Sequence, residues 1–180
     1  MSIEIRGMTP LLAVFDMPAS IRFYRDVLGF QVVETSQPSR PDDQVGWALL
    51  RRGGVELMLN TAYDGDRPAA PDPPRVAAHR DTALFFGCRD LDAAYAHLRA
   101  HGADPEPPFV QSYGMKQLYV QDPDGYTLCF QWPANRETQD QWAEWYGTET
   151  KAAQAARTNA PADPLGGGAI PGDGETALSS

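Results

Sequence analysis

The strongest constraint on the fold is an internal repeat. Two apolar runs, residues 9–15 and 82–88, are each followed by an aspartate and then by a helical pattern that ends at a glycine, from Asp16 to Gly29 and from Asp90 to Gly102. Aspartate satisfies the free N–H groups at a helix start, and glycine is a common residue just after a helix end. Short segments with strand alternation follow each helix. Such a repeat indicates one structural unit present twice.

We therefore predict an α+β fold made of two βαβββ units, at residues 7–61 and 80–133. The strands that follow the helices are predicted at 30–34, 45–51 and 55–60 in the first unit, and at 109–111, 116–121 and after Gly125 in the second. In each unit the helix covers one face of the sheet and leaves the other face bare. We expect the two sheets to curl into a cup with the helices outside.

The segment from Asp122 to Gln131 begins with Asp-Pro-Asp-Gly and continues as an alternating strand. Proline presets one backbone angle, aspartate bonds to nearby backbone, and glycine tolerates positive φ, so these residues favour a tight turn. Alternation then directs Leu128 and Phe130 to the core and Cys129 to the opposite face. We predict a hairpin whose second strand contributes to the cup.

Three further segments differ in composition. Residues 62–79 contain four prolines and are predicted to be a linker without helix or central strand. Residues 134–158 carry an aromatic cluster from Trp142 to Tyr146 and are predicted to form an appended helix that packs on the domain or on a second subunit. Residues 159–180 have few apolar anchors and are predicted to be disordered.

The charge balance restricts the partners. Lys and Arg number 15 against 24 acidic residues, so the net charge is −9, and nucleic acid is not an expected partner. The acidity favours a cationic ligand, or it serves solubility alone. The two cysteines, Cys88 and Cys129, have no short spacing that would indicate a disulfide framework or a zinc site. No stretch has the length of a signal peptide or membrane span, so we expect a cytoplasmic protein with no membrane partner.

Two motifs within this duplicated pattern resemble a known family. Phe-Tyr-Arg-Asp-Val-Leu-Gly-Phe at residues 23–30 and Asp-Pro-Asp-Gly at residues 122–125 are similar to those of the vicinal oxygen chelate superfamily. That superfamily includes glyoxalases, bleomycin-resistance proteins and extradiol dioxygenases, and the resemblance covers residues 7–133. It implies a cup-shaped fold. The metalloenzymes of the superfamily hold a divalent metal with residues of the opening and closing strands of each unit, so the resemblance also implies where a metal site would lie.

The resemblance transfers those metal-ligand positions to Thr9 and Ala83 in the opening strands and to Glu56 and Cys129 in the closing strands. Of these, Glu56 alone matches the usual carboxylate ligand, and a divalent ion needs several oxygen or nitrogen ligands. We therefore predict no metal and no other cofactor there. One divalent metal at an off-pattern site is the alternative.

Histidines elsewhere are weaker candidates for such a site. His97 and His101 lie four residues apart on the second helix and are expected near its solvent side, while His79 precedes the second unit. Cys129 has no evident base beside it, so we interpret it as a small residue of the cup wall and not as a nucleophile.

Aromatic and apolar residues with one carboxylate make up the predicted ligand site, as is common for small-molecule sites. These candidates are Trp47, Glu56, Met58, Phe85, Tyr113, Cys129 and Trp132. Each aromatic residue could instead belong to the core, and Glu56 is either a group that neutralises a ligand cation or a solvated charge. A cation over an aromatic ring gains roughly 0.5–2 kcal/mol.

We predict a homodimer that binds a small, planar or cationic molecule without a catalytic metal, since the chain is most similar to the bleomycin-resistance branch. Antibiotic sequestration is the expected role. The first alternative is a metal-dependent lyase or dioxygenase of the same superfamily. The second is an interaction module that uses the aromatic cluster of residues 142–146.

Overall fold

A computed structural model gives the fold of the protein and describes residues 3–37, 45–62 and 70–135. Most of the predicted appended helix at 134–158 and all of the predicted disordered tail at 159–180 lie outside these residues. The described part contains two four-stranded mixed sheets with helices packed on them, one sheet from each unit. The predicted α+β class with two βαβββ units is therefore confirmed.

The two units have the same topology. The first contains β1 (Leu11–Val14), α1 (Met17–Arg22), β2 (Gln31–Thr35), β3 (Trp47–Arg52) and β4 (Val55–Thr61), and α1 continues into a π-helical turn at Phe23–Val27. The second contains β5 (Ala83–Gly87), α3 (Leu91–Ala100), β6 (Phe109–Val110), β7 (Met115–Gln121) and β8 (Thr127–Pro133). The sheet orders are β1-β4-β3-β2 and β5-β8-β7-β6, with the outer β1 and β5 parallel to their neighbours.

A short helix, α2 (Pro73–His79), lies between the two units. The expectation that residues 62–79 contain no helix is therefore wrong for this part. Pro73 and Pro74 occupy the first two helical positions, after Asp72 as N-cap. Proline is tolerated there because the first N–H groups of a helix have no partner within the helix.

The predicted helix caps are confirmed. The side chain of Asp16 accepts a hydrogen bond from the backbone N–H of Ala19 at 2.9 Å, and Asp90 accepts one from Ala93 at the same distance. Gly29, which follows the first helix, has a φ of +72°, a conformation that L side chains rarely adopt. Local sequence therefore determines where these helices begin and end.

The helix-facing sides of both sheets share one hydrophobic core. Its residues include Leu12, Leu57 and Leu59 from the first unit and Leu118, Val120 and Leu128 from the second. Val55 shares the alternation of Leu57 and Leu59, but it begins β4 directly after a turn and is 42% exposed. Because the buried faces meet each other, the opposite face of each sheet is turned away from the shared core.

Two buried carboxylates in the turn between β7 and β8 connect the units. Asp124 accepts hydrogen bonds from the backbone N–H of Phe15 and from the hydroxyl of Ser20, both at 2.6 Å. Asp122 accepts one from the hydroxyl of Tyr24 at 2.7 Å and also binds backbone N–H groups within its own turn, including that of Tyr126 at 2.8 Å. The turn thus holds the helix of the other unit through directional bonds.

Burial governs the protonation of these carboxylates. Desolvation raises the pKa of Asp122 to about 6, although the hydrogen bond from Tyr24 acts in the opposite direction. Desolvation also raises the pKa of Asp124, while the bonds from Ser20 and Phe15 lower it. A carboxyl group whose pKa is higher in the folded state binds its proton more tightly there. For Asp122, the stabilisation that comes from this tighter proton binding is complete at low pH and is lost as the pH rises through about 6.

Asp122→Asn is expected to remove this pH dependence, because asparagine does not titrate. The free energy of unfolding of the wild type, minus that of the variant, should fall by about 2–3 kcal/mol between pH 4 and pH 7. Urea denaturation at several pH values measures the difference. Tyr24→Phe should shift the fall to higher pH, because it removes a bond that lowers the pKa of Asp122. A difference that is constant with pH would contradict this account.

Gly125→Ala tests the packing of the same turn. Gly125 has a φ of +88°, and a Cβ atom placed on it would lie 2.8 Å from Cγ1 of Val76 in α2. Gly53→Ala is the matched control, since Gly53 also has positive φ but a Cβ there meets no atom within 4 Å. For the control, we expect backbone strain to lower the free energy of unfolding by about 1 kcal/mol. In a thermal or urea unfolding experiment, Gly125→Ala should lower the free energy of unfolding by at least about 1 kcal/mol more than the control does, because a clash is added to the strain.

Candidate functional site

The strand registers identify which predicted site residues share a surface. In the first sheet Trp47, Glu56 and Met58 lie on the face opposite the core, which we call the first bare face. In the second sheet Cys129 pairs with Phe85 and with Tyr119, and these residues define the second bare face. The predicted alternation is thus correct for Glu56 and Cys129. However, the two bare faces are both turned away from the shared core of the chain.

Glu56 is held by its neighbours on the first bare face. Its Oε1 accepts a hydrogen bond from Nε of Arg51 at 2.9 Å and a second one from Nη2 of the same residue. Its Oε2 lies 3.5 Å from the hydroxyl of Thr9. The sequence suggested a lone carboxylate, but the charge of Glu56 is balanced by the guanidinium that stands opposite it in the strand register. Oε2 remains the more weakly bonded oxygen.

A buried glutamine organises the second bare face. Gln117 is 1% exposed, and its amide oxygen accepts hydrogen bonds from Gln111, Tyr113 and Tyr119 at 2.9, 3.2 and 2.8 Å. Its amide nitrogen donates to the side-chain oxygen of Gln131 at 2.9 Å. An amide oxygen has two lone pairs, so three donors exceed its capacity. The donor with the longest bond, the Tyr113 hydroxyl, is the one that a ligand acceptor can take over.

Sequence analysis did not identify this glutamine cluster. Gln117 and Tyr119 alternate with the core residues Leu118 and Val120, which is the signal that places them on the bare face. That alternation was recognised for β8, where Cys129 was assigned to this side, but it was not followed into β7. The mutual contact of the side chains depends on the pairing of three strands and has no local signature.

Cys129 and Tyr119 are both kept neutral by their surroundings. Cys129 is fully buried, and desolvation raises the pKa of its thiol, although a bond to Tyr119 acts to lower it. Desolvation raises the pKa of Tyr119 to about 12, with a further increase from Cys129. A thiol with a raised pKa carries little thiolate at neutral pH and is a poor nucleophile. This agrees with the interpretation of Cys129 as a wall residue.

The aromatic candidates lie in three different environments. Phe85 and Tyr113 are 54% and 65% exposed on the side of the second bare face, and Trp47 is half-buried on the first. Trp132 differs, since it is buried and shares the sheet face of Phe130 and Leu118 and not that of Cys129. The structure therefore separates Trp132 from the other six candidates.

A large cavity lies on the helix side, where Trp132 is found. Its volume is about 1050 Å³, and it is lined by residues of both units, including Phe30, Arg52, Phe86 and Arg89. Glu56, Met58 and Cys129 do not line it. This cavity is thus on the opposite side of the sheets from the two bare faces that carry the other six candidates.

The three histidines have structural contacts. His79 stacks on Tyr126 with ring centres 4.1 Å apart and bonds to the backbone oxygen of Asp124 at 2.7 Å. His97 bonds to the backbone oxygen of Val27, and His101 to that of His97. Among residues 3–37, 45–62 and 70–135, no group of three or more His, Cys, Asp or Glu side chains is arranged to hold a metal ion.

Comparison with known proteins identifies the family. A family model described as the Glyoxalase/Bleomycin resistance protein/Dioxygenase superfamily matches residues 8–130. The chain belongs to this superfamily. The resemblance that the two motifs indicated is therefore confirmed for the greater part of the chain.

Individual relatives agree with this assignment. The uncharacterized protein YaeR from Escherichia coli strain K12 is 30% identical over 114 residues, which are 63% of this chain and 84% of YaeR. The crystal structure of TnmS3, an antibiotic binding protein from Streptomyces sp. CB03234, has a TM-score of 0.55 and 20% identity, covering 73% of this chain and 99% of that one. A bleomycin resistance determinant encoded on transposon Tn5 has a TM-score of 0.53 and 22% identity, covering 71% and 97%.

The helices in the described part of the chain are too short or too polar to cross a lipid bilayer.

Gln117→Leu is expected to destabilise the second unit. Leucine has a similar volume but leaves the Gln111, Tyr113 and Tyr119 donors without their shared acceptor. An unsatisfied buried donor costs about 1–3 kcal/mol, and urea denaturation measures that loss. The matched control is Gln121→Leu at an exposed position of the same strand, where we expect a change within about 0.5 kcal/mol. Equal effects of the two substitutions would show that the cluster does not stabilise the fold.

Proposed function

We propose that this protein is a homodimer that binds a small, planar organic molecule between the bare faces of its sheets, without a catalytic metal. The observation that carries the proposal is the chemistry of the second bare face, where exposed aromatic rings surround a hydrogen-bonded glutamine cluster. Pockets for small molecules combine apolar walls with a few fixed polar groups. The cytoplasmic location expected from the sequence remains a prediction.

Exposed rings on the second bare face support a planar ligand. Phe85, Phe109 and Tyr113 are each more than two-fifths exposed on this unit. Aromatic pairs in offset or edge-to-face contact contribute about 0.5–1.5 kcal/mol beyond the area that they bury. The Tyr113 hydroxyl is the third donor to an amide oxygen of Gln117 that accommodates two. It can therefore donate to an acceptor atom of the ligand while Gln111 and Tyr119 stay bonded to Gln117.

The arrangement of the units supports a second copy of the chain. The helix sides of both sheets meet in one core, so the bare faces of a single chain are not closed against each other. Leu11 on the first bare face is 52% exposed, in addition to the exposed rings of the second. Clustered apolar exposure of this kind marks an interaction surface in soluble proteins. Pairing of the first unit of one copy with the second unit of another would enclose the ligand.

The Glu56 and Arg51 pair modifies the predicted preference for cations. Because Arg51 already balances the charge of Glu56, the pair offers a weakly bonded carboxylate oxygen and not an uncompensated charge. That oxygen can accept a hydrogen bond from a ligand N–H group. The pair also supports metal independence, because a divalent ion at Glu56 would have to displace the guanidinium.

Two proteins of the same fold have names that describe a comparable role. TnmS3 is named an antibiotic binding protein, and the Tn5 protein is named a bleomycin resistance determinant. At 20% and 22% identity these likenesses show the fold alone, so a ligand of the antibiotic class belongs to our proposal.

Isothermal titration of the full chain with glycopeptide and polycyclic aromatic antibiotics tests the proposal. We expect at least one compound to bind with a dissociation constant of about 1 µM or below. Phe85→Ala and Tyr113→Ala should each weaken that binding about tenfold, since each removes a ring from the bare face. The control is Ile5→Ala, a similar loss of exposed apolar surface in the N-terminal segment. Absence of binding to folded protein throughout the panel would reject the proposal.

Sedimentation and metal analysis separate the remaining alternatives. The dimer should sediment with twice the chain mass of 19.7 kDa. Protein purified without chelators should contain far less than one divalent ion per chain. About one ion per chain, lost in Glu56→Gln, would instead favour the metal-dependent lyase or dioxygenase.

A further inference from the structure

The cavity between the two units has no role in the proposed function. It lies on the helix side of the sheets, has a volume of about 1050 Å³, and is formed by both units. The first unit contributes the turn between β3 and β4, with Arg52. The second contributes the end of β5 and the start of α3, with Arg89. A volume of this size accommodates a drug-sized molecule.

An aromatic floor runs across this cavity. Phe30 of the first unit meets Phe86 of the second edge-on, with ring centres 6.4 Å apart. Phe86 in turn stacks on Phe130 at 5.3 Å with an interplanar angle of 24°. The rings form one continuous apolar surface from one unit to the other. Such a surface suits a flat or polycyclic hydrocarbon body.

Two guanidinium groups lie at the walls of the cavity. The guanidinium of Arg89 lies 5.3 Å from the centre of the Trp132 ring, in a cation–π contact. The guanidinium of Arg52 packs on Gly29, since a Cβ atom placed on that glycine would lie 2.9 Å from Nη1 of Arg52. Among the residues that the structure describes, neither group is within ion-pair distance of a carboxylate.

Other polar groups of the cavity already have partners. Asp90 lines the wall, but its carboxylate caps α3 through the N–H of Ala93. His97 bonds to the backbone oxygen of Val27 across the units. Burial raises the pKa of the Cys88 thiol, and the positive charge of Arg52 acts in the opposite direction. Arg52 and Cys88 both line the cavity. The two arginines therefore face one space from opposite units.

We propose that this cavity is a second binding site, for an aromatic carboxylate. The aromatic floor takes the hydrocarbon body, and Arg52 and Arg89 bind the carboxylate. Arginine is suited to this contact because its planar group donates two parallel hydrogen bonds to one carboxylate. The net charge of the chain is −9, which by itself favours a cationic ligand. The two arginines on this apolar cavity have no acidic partner among the described residues, so the local charge favours an anion there.

Fluorescence titration of the full chain with pyrenebutyrate, a polycyclic aromatic carboxylate, tests this site. The neutral analogue pyrenebutanol has the same hydrocarbon body and serves as the ligand control. We expect saturable binding of one pyrenebutyrate per chain, about tenfold tighter than the alcohol. Arg52→Met and Arg89→Met, which keep an unbranched apolar stem but remove the guanidinium, should each reduce the affinity for the acid toward that of the alcohol.

Two matched variants locate the probe. Arg99→Met removes the same charge from an exposed position of α3 outside the cavity, where Arg99 pairs with Asp104, and should leave the affinity unchanged. Phe85→Ala, which alters the second bare face, should leave the preference for the acid over the alcohol unchanged, so failure of this test is distinguishable from failure of the proposed function.

Three results would overturn the proposal. The first is equal affinity for acid and alcohol, and the second is loss of binding in Phe85→Ala but not in the two cavity variants. The third is absence of saturable binding up to about 1 mM.

Discussion

The position of the two units depends on the buried carboxylates of the turn at residues 122–126. Hydrophobic contact alone is non-directional and would allow the two sheets to slide over the shared core. Asp122 and Asp124 bind the hydroxyls of Tyr24 and Ser20 and a backbone N–H of the first unit, which fixes one arrangement. Buried carboxylates are tolerated only when hydrogen-bonded. The same bonds that offset their desolvation therefore also specify the orientation of the units.

This orientation determines which surfaces remain for ligands. Because the helix sides meet, the bare faces point outward, and the unfilled space between the units becomes the cavity. The two surfaces differ in chemistry. The second bare face has neutral amides and exposed rings around Gln117, whereas the cavity has an apolar floor with Arg52 and Arg89. One duplicated fold thus presents two surfaces of different chemistry, for which we propose planar molecules with hydrogen-bonding groups and aromatic carboxylates as the respective ligands.

The positions that the resemblance assigned to metal ligands have other contacts in this structure. Glu56 has Arg51 opposite it in the strand register, and the guanidinium balances its charge. Thr9 contacts the other carboxylate oxygen. On the second unit, Cys129 is buried between Phe85 and Tyr119 in the strand register, and burial raises the pKa of its thiol. These contacts explain why the carboxylate is stable on this surface, because its charge is balanced within the chain.

The sequence by itself determined the parts of the structure that depend on neighbouring residues. The repeat, the aspartate caps, the glycine stops and the alternation of β8 were correct, because helix ends and strand faces are set by residues a few positions apart. The α2 helix was missed because proline was interpreted only as a helix breaker, whereas the first turn of a helix accepts it.

Tertiary structure alone decided the rest. It gathered the glutamines around Gln117, formed the cavity from both units and brought Asp124 to Ser20. The last contact joins residues 104 positions apart. A local pattern predicts which face a side chain occupies, but its partner on that face depends on how strands and units meet in space.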